Sequence, residues 1–205
     1  MFKKVVTSMV LLSLTAMVLG CLGGSPAPKI PKIDARASAN AAMDEYDTNK
    51  DGFIDQAELK NAPSLKEAEK MIDSNSDGKL SREEIEQRLN KYSGQGMALM
   101  SFSCAVIIDG ARKADIEVEM VPEKFMLEAI KVAKGKTDLN GMVRFKQEDQ
   151  EFEGVAPGFY KIKVVKVGSL VIPIRFNENS TIGKEIALDR MGRGGDSFDI
   201  KASSK

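Results

Sequence analysis

Apolar positions fall into three regimes along the chain. From Val5 to Leu19 the run is apolar, broken only by small hydroxyls and preceded by Lys3 and Lys4. From Ala35 onward apolar residues recur at helical spacing instead. Ala39, Ala42, Met43 and Tyr46 share one face, then Leu65, Ala68 and Ile72, then Ile85, Leu89 and Tyr92. Leu59 follows a first polar interruption, and Pro63 halts the helix it begins. Ser64 and Glu67 then read as a capping box opening the next helix. The pattern predicts helix, polar loop, helix, helix, polar loop, helix, with Met43 and Met71 at core positions.

Past Ser93–Gly96 the period shortens to two. Strand-like runs cover 102–108, 115–121, 129–136, 142–146, 160–164, 170–176 and 197–200. In the second of these Ile116, Val118 and Met120 point inward and the acids outward. Asp109-Gly110, Asp138 to Gly141 and Ala156-Pro157-Gly158 supply turn chemistry between the runs. About seven short strands in a hundred residues predict an antiparallel β-sandwich. The expected fold is therefore α+β and multidomain, an all-α unit followed by the sandwich. The boundaries read from the pattern are 34–92, a linker at 93–97, and 98–205.

The two polar interruptions are one twelve-residue phrase used twice. The first places Asp47, Asn49, Asp51, Asp55 and Glu58 at positions 1, 3, 5, 9 and 12, and the second places Asp73, Asn75, Asp77, Ser81 and Glu84 there. Position 6 is Gly52 or Gly78, where the backbone must turn sharply. Position 7, Phe53 or Lys79, can offer its carbonyl. A hard divalent cation needs such an oxygen cage, and calcium takes six to eight oxygens in a flexible shell. Helix capping accounts for Asp55 with Glu58 and Ser81 with Glu84, but not for the repeated Asp-x-Asn-x-Asp-Gly.

Both loops resemble the EF-hand family at every defining position. The resemblance implies two bound Ca2+ ions and a short β-bridge pairing Ile54 with Leu80. The loops begin 26 residues apart, so the inner helices are short and a large opening motion is not expected. Four carboxylates in the first loop against three in the second predict tighter binding at the first. Structural calcium is the leading expectation, and a calcium sensor that switches partner binding is the alternative.

The amino-terminal run is too short for a comfortable span and has the flanks of a secretory signal. Val18-Leu19-Gly20-Cys21 resembles the lipobox of bacterial lipoproteins, which implies cleavage after residue 21's predecessor and lipidation of Cys21. That leaves Cys104 alone in an apolar run, a buried inert thiol. Residues 22–33 contain three closely spaced prolines and read as a semi-stiff tether. The expected location is exported and anchored to a bacterial membrane by lipid, with the outer membrane or a periplasmic face favoured.

Lys+Arg and Asp+Glu number 30 each, so no basic field invites nucleic acid. The charge is uneven, however. Residues 34–92 carry 14 acidic and 9 basic side chains, and residues 93–205 carry 16 and 17. Histidine is absent, which removes the commonest general base and zinc ligand. No nucleophile–base set is apparent, so a non-enzymatic protein is expected.

A second resemblance lies in Lys136 to Gly141 and Gly154 to Tyr160, each followed by a strand. It extends to Ile172 to Asn177, Ser180 to Ile182 and Ser197 to Ile200. These turn signatures are similar to the transthyretin-like or carboxypeptidase regulatory-like family, whose fold is Ig-like and whose role is that of a non-catalytic accessory module. The resemblance implies a module contacting a protein or cell-envelope partner. Carbohydrate or cell-wall adhesion is a third reading, poorly supplied with aromatics since tryptophan is absent.

Overall fold

A computed structural model of the chain describes residues 27–167, 172–190 and 198–203. The signal segment and Cys21 lie outside the described residues. Residues 27–34 carry no regular structure and end at Asp34, whose carboxylate accepts from the Ala37 N–H and caps the first helix. The carboxyl-terminal part of the tether does not hang free. Lys29 N–H donates to the Gln150 side chain at 3.2 Å, and Ile33 packs against the core.

Three helices follow: α1 (Ala35–Tyr46), α2 (Pro63–Ile72) and α3 (Arg82–Ser93), with two-residue strands β1 (Phe53–Ile54) and β2 (Leu80–Ser81) between them. The expected helix after the first loop is only a 3-10 turn, Glu58–Asn61. Pro63 ends that turn and also opens α2 at its first position, where its missing N–H costs nothing. Ala39, Ala42, Tyr46, Leu65, Ala68, Ile72, Ile85, Leu89 and Tyr92 are all buried. Met71 is not: 40% of it is exposed, while Met43 is half-buried.

The β-half holds β3 (Ser103–Ile108), β4 (Ala111–Arg112), β5 (Ile116–Pro122), β6 (Ala133–Lys136), β7 (Met142–Arg144) and β8 (Lys146–Gln147). It continues with β9 (Gly158–Val167), β10 (Gly183–Ile186) and β11 (Phe198–Ala202). One sheet runs β10-β9-β5-β6-β8, and the other runs β11-β3-β4 with β7 also on β3. The antiparallel expectation fails where β11 lies parallel to β3, with Ile200 opposite Val106, and at an isolated parallel bridge between Lys146 and Gly154. The β-half is therefore mixed. Asp109 and Gly110 both take positive φ, 51° and 80°, as a tight hairpin between β3 and β4 requires.

The run read as a strand at 170–176 is a 3-10 turn over Ile174–Phe176 in its described part, because Pro173 removes a ladder donor. β10 went unread for the opposite reason. Its sequence is Gly-Lys-Glu-Ile, yet all four residues are buried. Cys104 is 1% exposed, and burial pushes its thiol up to about 12, so it is inert at neutral pH.

Burial of Lys184 and Glu185 makes sense only because the helices lie on this edge. One hydrophobic cluster runs without interruption from α1 through both sheets. Tyr92 meets Phe159 with ring centroids 6.0 Å apart, and Tyr46 meets Phe125 at 6.3 Å. Around these contacts sits a buried charge network. Arg88 on α3 donates to Glu185 on β10 and, through both terminal nitrogens, to Asp189 at 2.6 and 2.8 Å. Glu67 on α2 takes Lys184 at 3.1 Å and Arg190 at 2.6 Å, and accepts the Glu185 N–H at 3.1 Å. That last bond caps the outer edge of β10.

Glu123 accepts from Tyr46 at 3.0 Å and from Ser64 at 2.7 Å. Ser64 therefore does not cap α2, which has no side-chain cap. Both members of the expected capping box, Ser64 and Glu67, instead hold the helices to the sheet.

At Gly183 the two layers meet backbone to backbone. A Cβ there would stand 2.1 Å from the Pro63 carbonyl carbon and from the Ser64 nitrogen. Both are backbone atoms that cannot move aside. Gly183→Val should separate α2 from β10 and destabilise the protein by about 1–3 kcal/mol or more; a thermal melt equal to that of the parent protein would refute this packing. Asp189 offers a second check. The Arg88 hydrogen bonds hold its carboxyl below the usual range, outweighing its partial burial. A depressed carboxylate stabilises above the unfolded value of about 3.9 and ceases to as pH falls through the folded value. Asp189→Asn should therefore melt lower than the parent at pH 7, with the deficit closing in acid.

Candidate metal centre

Each polar loop is wound by its own side chains. Asp47 accepts the N–H groups of Asp51 and Gly52 at 3.1 and 3.0 Å. Asn49 accepts from Asp51 at 2.8 Å, and Asp51 accepts from Phe53 at 3.0 Å. The second loop repeats this bond for bond. Asp73 accepts from Asp77 and Gly78, Asn75 from Asp77, and Asp77 from Lys79. The backbones agree as well: φ is 59° and 61° at Lys50 and Ser76, then 89° and 78° at Gly52 and Gly78. Nothing lies within 4 Å of a Cβ placed on either glycine, so glycine is required by conformation and not by space.

The loops are joined back to back. Phe53 pairs with Ser81 and Ile54 with Leu80, both of the latter fully buried, so the expected bridge is present. Gln56 adds a cross-link by donating to the Gly78 carbonyl at 2.9 Å. Lys79 leans over the Phe53 ring at 5.3 Å and reaches Asp51 at 3.9 Å, a weak exposed pair.

Position 12 behaves differently from the rim. Glu58 and Glu84 are 7% and 6% exposed. Glu58 accepts the N–H groups of Thr48 at 2.7 Å and Asn49 at 3.2 Å with one oxygen and that of Asp55 at 3.0 Å with the other. Glu84 does the same with Ser74, Asn75 and Ser81. Burial raises both carboxyls, but these hydrogen bonds outweigh it and hold both below the usual range. They are ionised at neutral pH. Ser81 and Glu84 also form a reciprocal capping box at the start of α3. Capping and cation chemistry thus use the same carboxylates.

Thr48 and Ser74, at position 2 of the two loops, donate their hydroxyls to the same glutamates. That contact was not anticipated, although a hydroxyl stands at position 2 in both copies.

Among the described residues, no three acidic, cysteine or histidine side chains converge closely enough to hold a metal ion. Rim and position-12 carboxylates alike accept loop N–H groups, so an ion has to compete with N–H donors for both. The donor chemistry still fits a hard cation. Asp47, Asp51, Asp55 and Glu58 in one loop, and Asp73, Asp77 and Glu84 in the other, are all oxygen donors set on one tight turn. Asn49, Asn75 and Ser81 complete each set. Asp138 accepts the N–H groups of Asn140 and Met142 and makes the expected turn.

The EF hand family model matches residues 40–62 and again 70–89. The two matches support an EF-hand pair in these stretches, followed by a β-rich region that neither match reaches. Neither a curated protein nor a solved structure matches the chain.

Charge count orders the two sites. Glu84→Gln leaves the first loop intact and should retain the tighter calcium constant; Glu58→Gln should retain the weaker one. Titration calorimetry on the two variants checks this, and indistinguishable constants would sink the ordering.

Proposed function

We propose that this protein binds two calcium ions through its EF-hand pair and that the ions chiefly consolidate the fold. The observation that carries this is the docking of the pair. Opening α2 away from α3 would have to break the Glu67 and Arg88 networks and expose Tyr46 and Tyr92. A sensor opens to present a methionine-rich groove. Here α2 and α3 are pinned to the same sheet edge, and Met71 already faces solvent.

The β-half is read as a non-enzymatic accessory module of the transthyretin-like kind that presents a binding surface. The lipobox resemblance at Cys21 supports an exported protein held at a cell envelope by lipid, with the tether leading from the anchor to α1. Calcium outside the cytoplasm is set by the surroundings, which suits a structural ion.

The EF-hand loops carry the excess negative charge of residues 34–92, so filling them relieves repulsion as well as fixing the turns. At one hundred times its dissociation constant, each ion adds about 2.7 kcal/mol to stability. Thermal unfolding with calcium should therefore run well above unfolding with chelator, with circular dichroism showing helix and sheet melting together. Identical melts would overturn the structural role; a protein folded either way that binds an apolar dye only with calcium would point to a sensor instead.

A further inference from the structure

A trough runs along the seam between the EF-hand pair and the sheets. Its larger bay, about 990 Å³, has Leu59, Lys60 and Lys66 on one wall and Ile182, Phe198 and Lys201 on the other. Arg112 reaches the same bay. A second bay of about 620 Å³ shares Lys60, Pro63 and Thr181 with the first and extends toward Lys124 and Lys163. The two bays adjoin at those shared residues.

Most acids bordering it are already engaged. Glu67 is held by Lys184 and Arg190, and Glu123 by Lys161 at 3.2 Å. Asp199 and Glu178 remain, one in each bay. Against them stand Lys60, Arg112, Lys163 and Lys201, which form no ion pair among the described residues. The trough is cationic on a chain whose net charge is zero.

We propose that this trough takes up an extended acidic polypeptide segment, its carboxylates on those four cations and its apolar side chains against Ile182 and Phe198. The cations are spread along both walls instead of gathered at one point, which suits a row of carboxylates better than a single phosphate. The concave shape does not meet a flat bilayer. Sugar stacking would need an open ring, and the Phe198 ring is faced by Lys184 Nζ at 5.1 Å. This inference deepens the reading of the β-half as a binding module by naming its surface and partner class. It also ties the surface to the metal centre, because Lys60 stands two residues after Glu58 in the same 3-10 turn. Calcium should strengthen peptide binding, and the peptide should strengthen calcium binding by the same factor.

The test is fluorescence anisotropy of a labelled peptide of alternating glutamate and leucine with the full chain, with and without calcium. The acidic peptide should bind and its lysine–leucine counterpart should not, and added salt should weaken the complex. Lys60→Gln with Lys201→Gln should weaken binding about tenfold, with unchanged circular dichroism showing that the variant is folded. Lys70→Gln, on exposed α2 surface outside the trough, should leave binding as it was. Equal affinity for both peptides, or no loss in the double variant, would overturn the proposal. So would dextran sulfate or anionic vesicles competing where the peptide does not, or self-association of the chain through Lys60 and Lys201. Calcium calorimetry without peptide separates the outcomes: peptide binding without calcium uptake leaves the trough standing and removes the metal reading.

Discussion

A guanidinium with 1% of its side chain exposed has to be neutralised where it lies, and Arg88 is neutralised by the other half of the molecule. Its partners Glu185 and Asp189 come from β10 and the turn after it. Without the sheet edge, Arg88 would be a charge on the inner face of α3. Without α3, Glu185 would lose both its Arg88 partner and the Tyr92 hydroxyl. Neither half can bury these groups alone. The same holds for Glu67 with Lys184 and Arg190, and for Glu123 with Tyr46 and Ser64. Removing one member strips a buried partner of part of its compensation, which costs more than the pair gains. The contacts therefore specify one docking arrangement.

That docking has consequences for the cation loops. An isolated EF-hand pair of some sixty residues buries little apolar surface and leans on its ions. Here α1, α2 and α3 share a core with the sheets, so the loops are wound on a scaffold fixed from outside. Their rim geometry is held by side-chain acceptors on backbone N–H groups, identically in both copies. The position-12 glutamates lie between two tasks, closing the loop on its amides and completing an oxygen cage. The hydroxyls of Thr48 and Ser74 add to the first of those tasks in both copies.

Much of this was legible because the physics is local. Asp-x-Asn-x-Asp-Gly specifies its own turn, since each acceptor reaches an N–H two to five residues on. The helix faces, the Asp109-Gly110 hairpin and the buried Cys104 follow from period and turn chemistry in the same way, and the Ile54–Leu80 bridge came with the EF-hand resemblance. The failures share a cause too. β10 reads as polar because Glu67, Arg88 and Tyr92, which satisfy Lys184 and Glu185 from the helices, lie more than ninety residues away. Ser64 and Glu67 matched a capping box because local spacing cannot reveal a competing partner across the seam. The parallel pairing of β11 with β3 joins the first and last strands of the β-half, a contact that alternation alone does not encode.

The sequence by itself thus determined how the loops wind, which faces of the helices are apolar and where the chain turns, because those properties rest on residues within one turn or one hairpin of each other. Only the tertiary structure decided that the helices and sheets form one body and that Gly183 lets α2 touch β10. It also decided that the charges left over at their seam line a trough. Burial of an ionic group depends on which distant residue answers it, and that is set by the packing of whole layers.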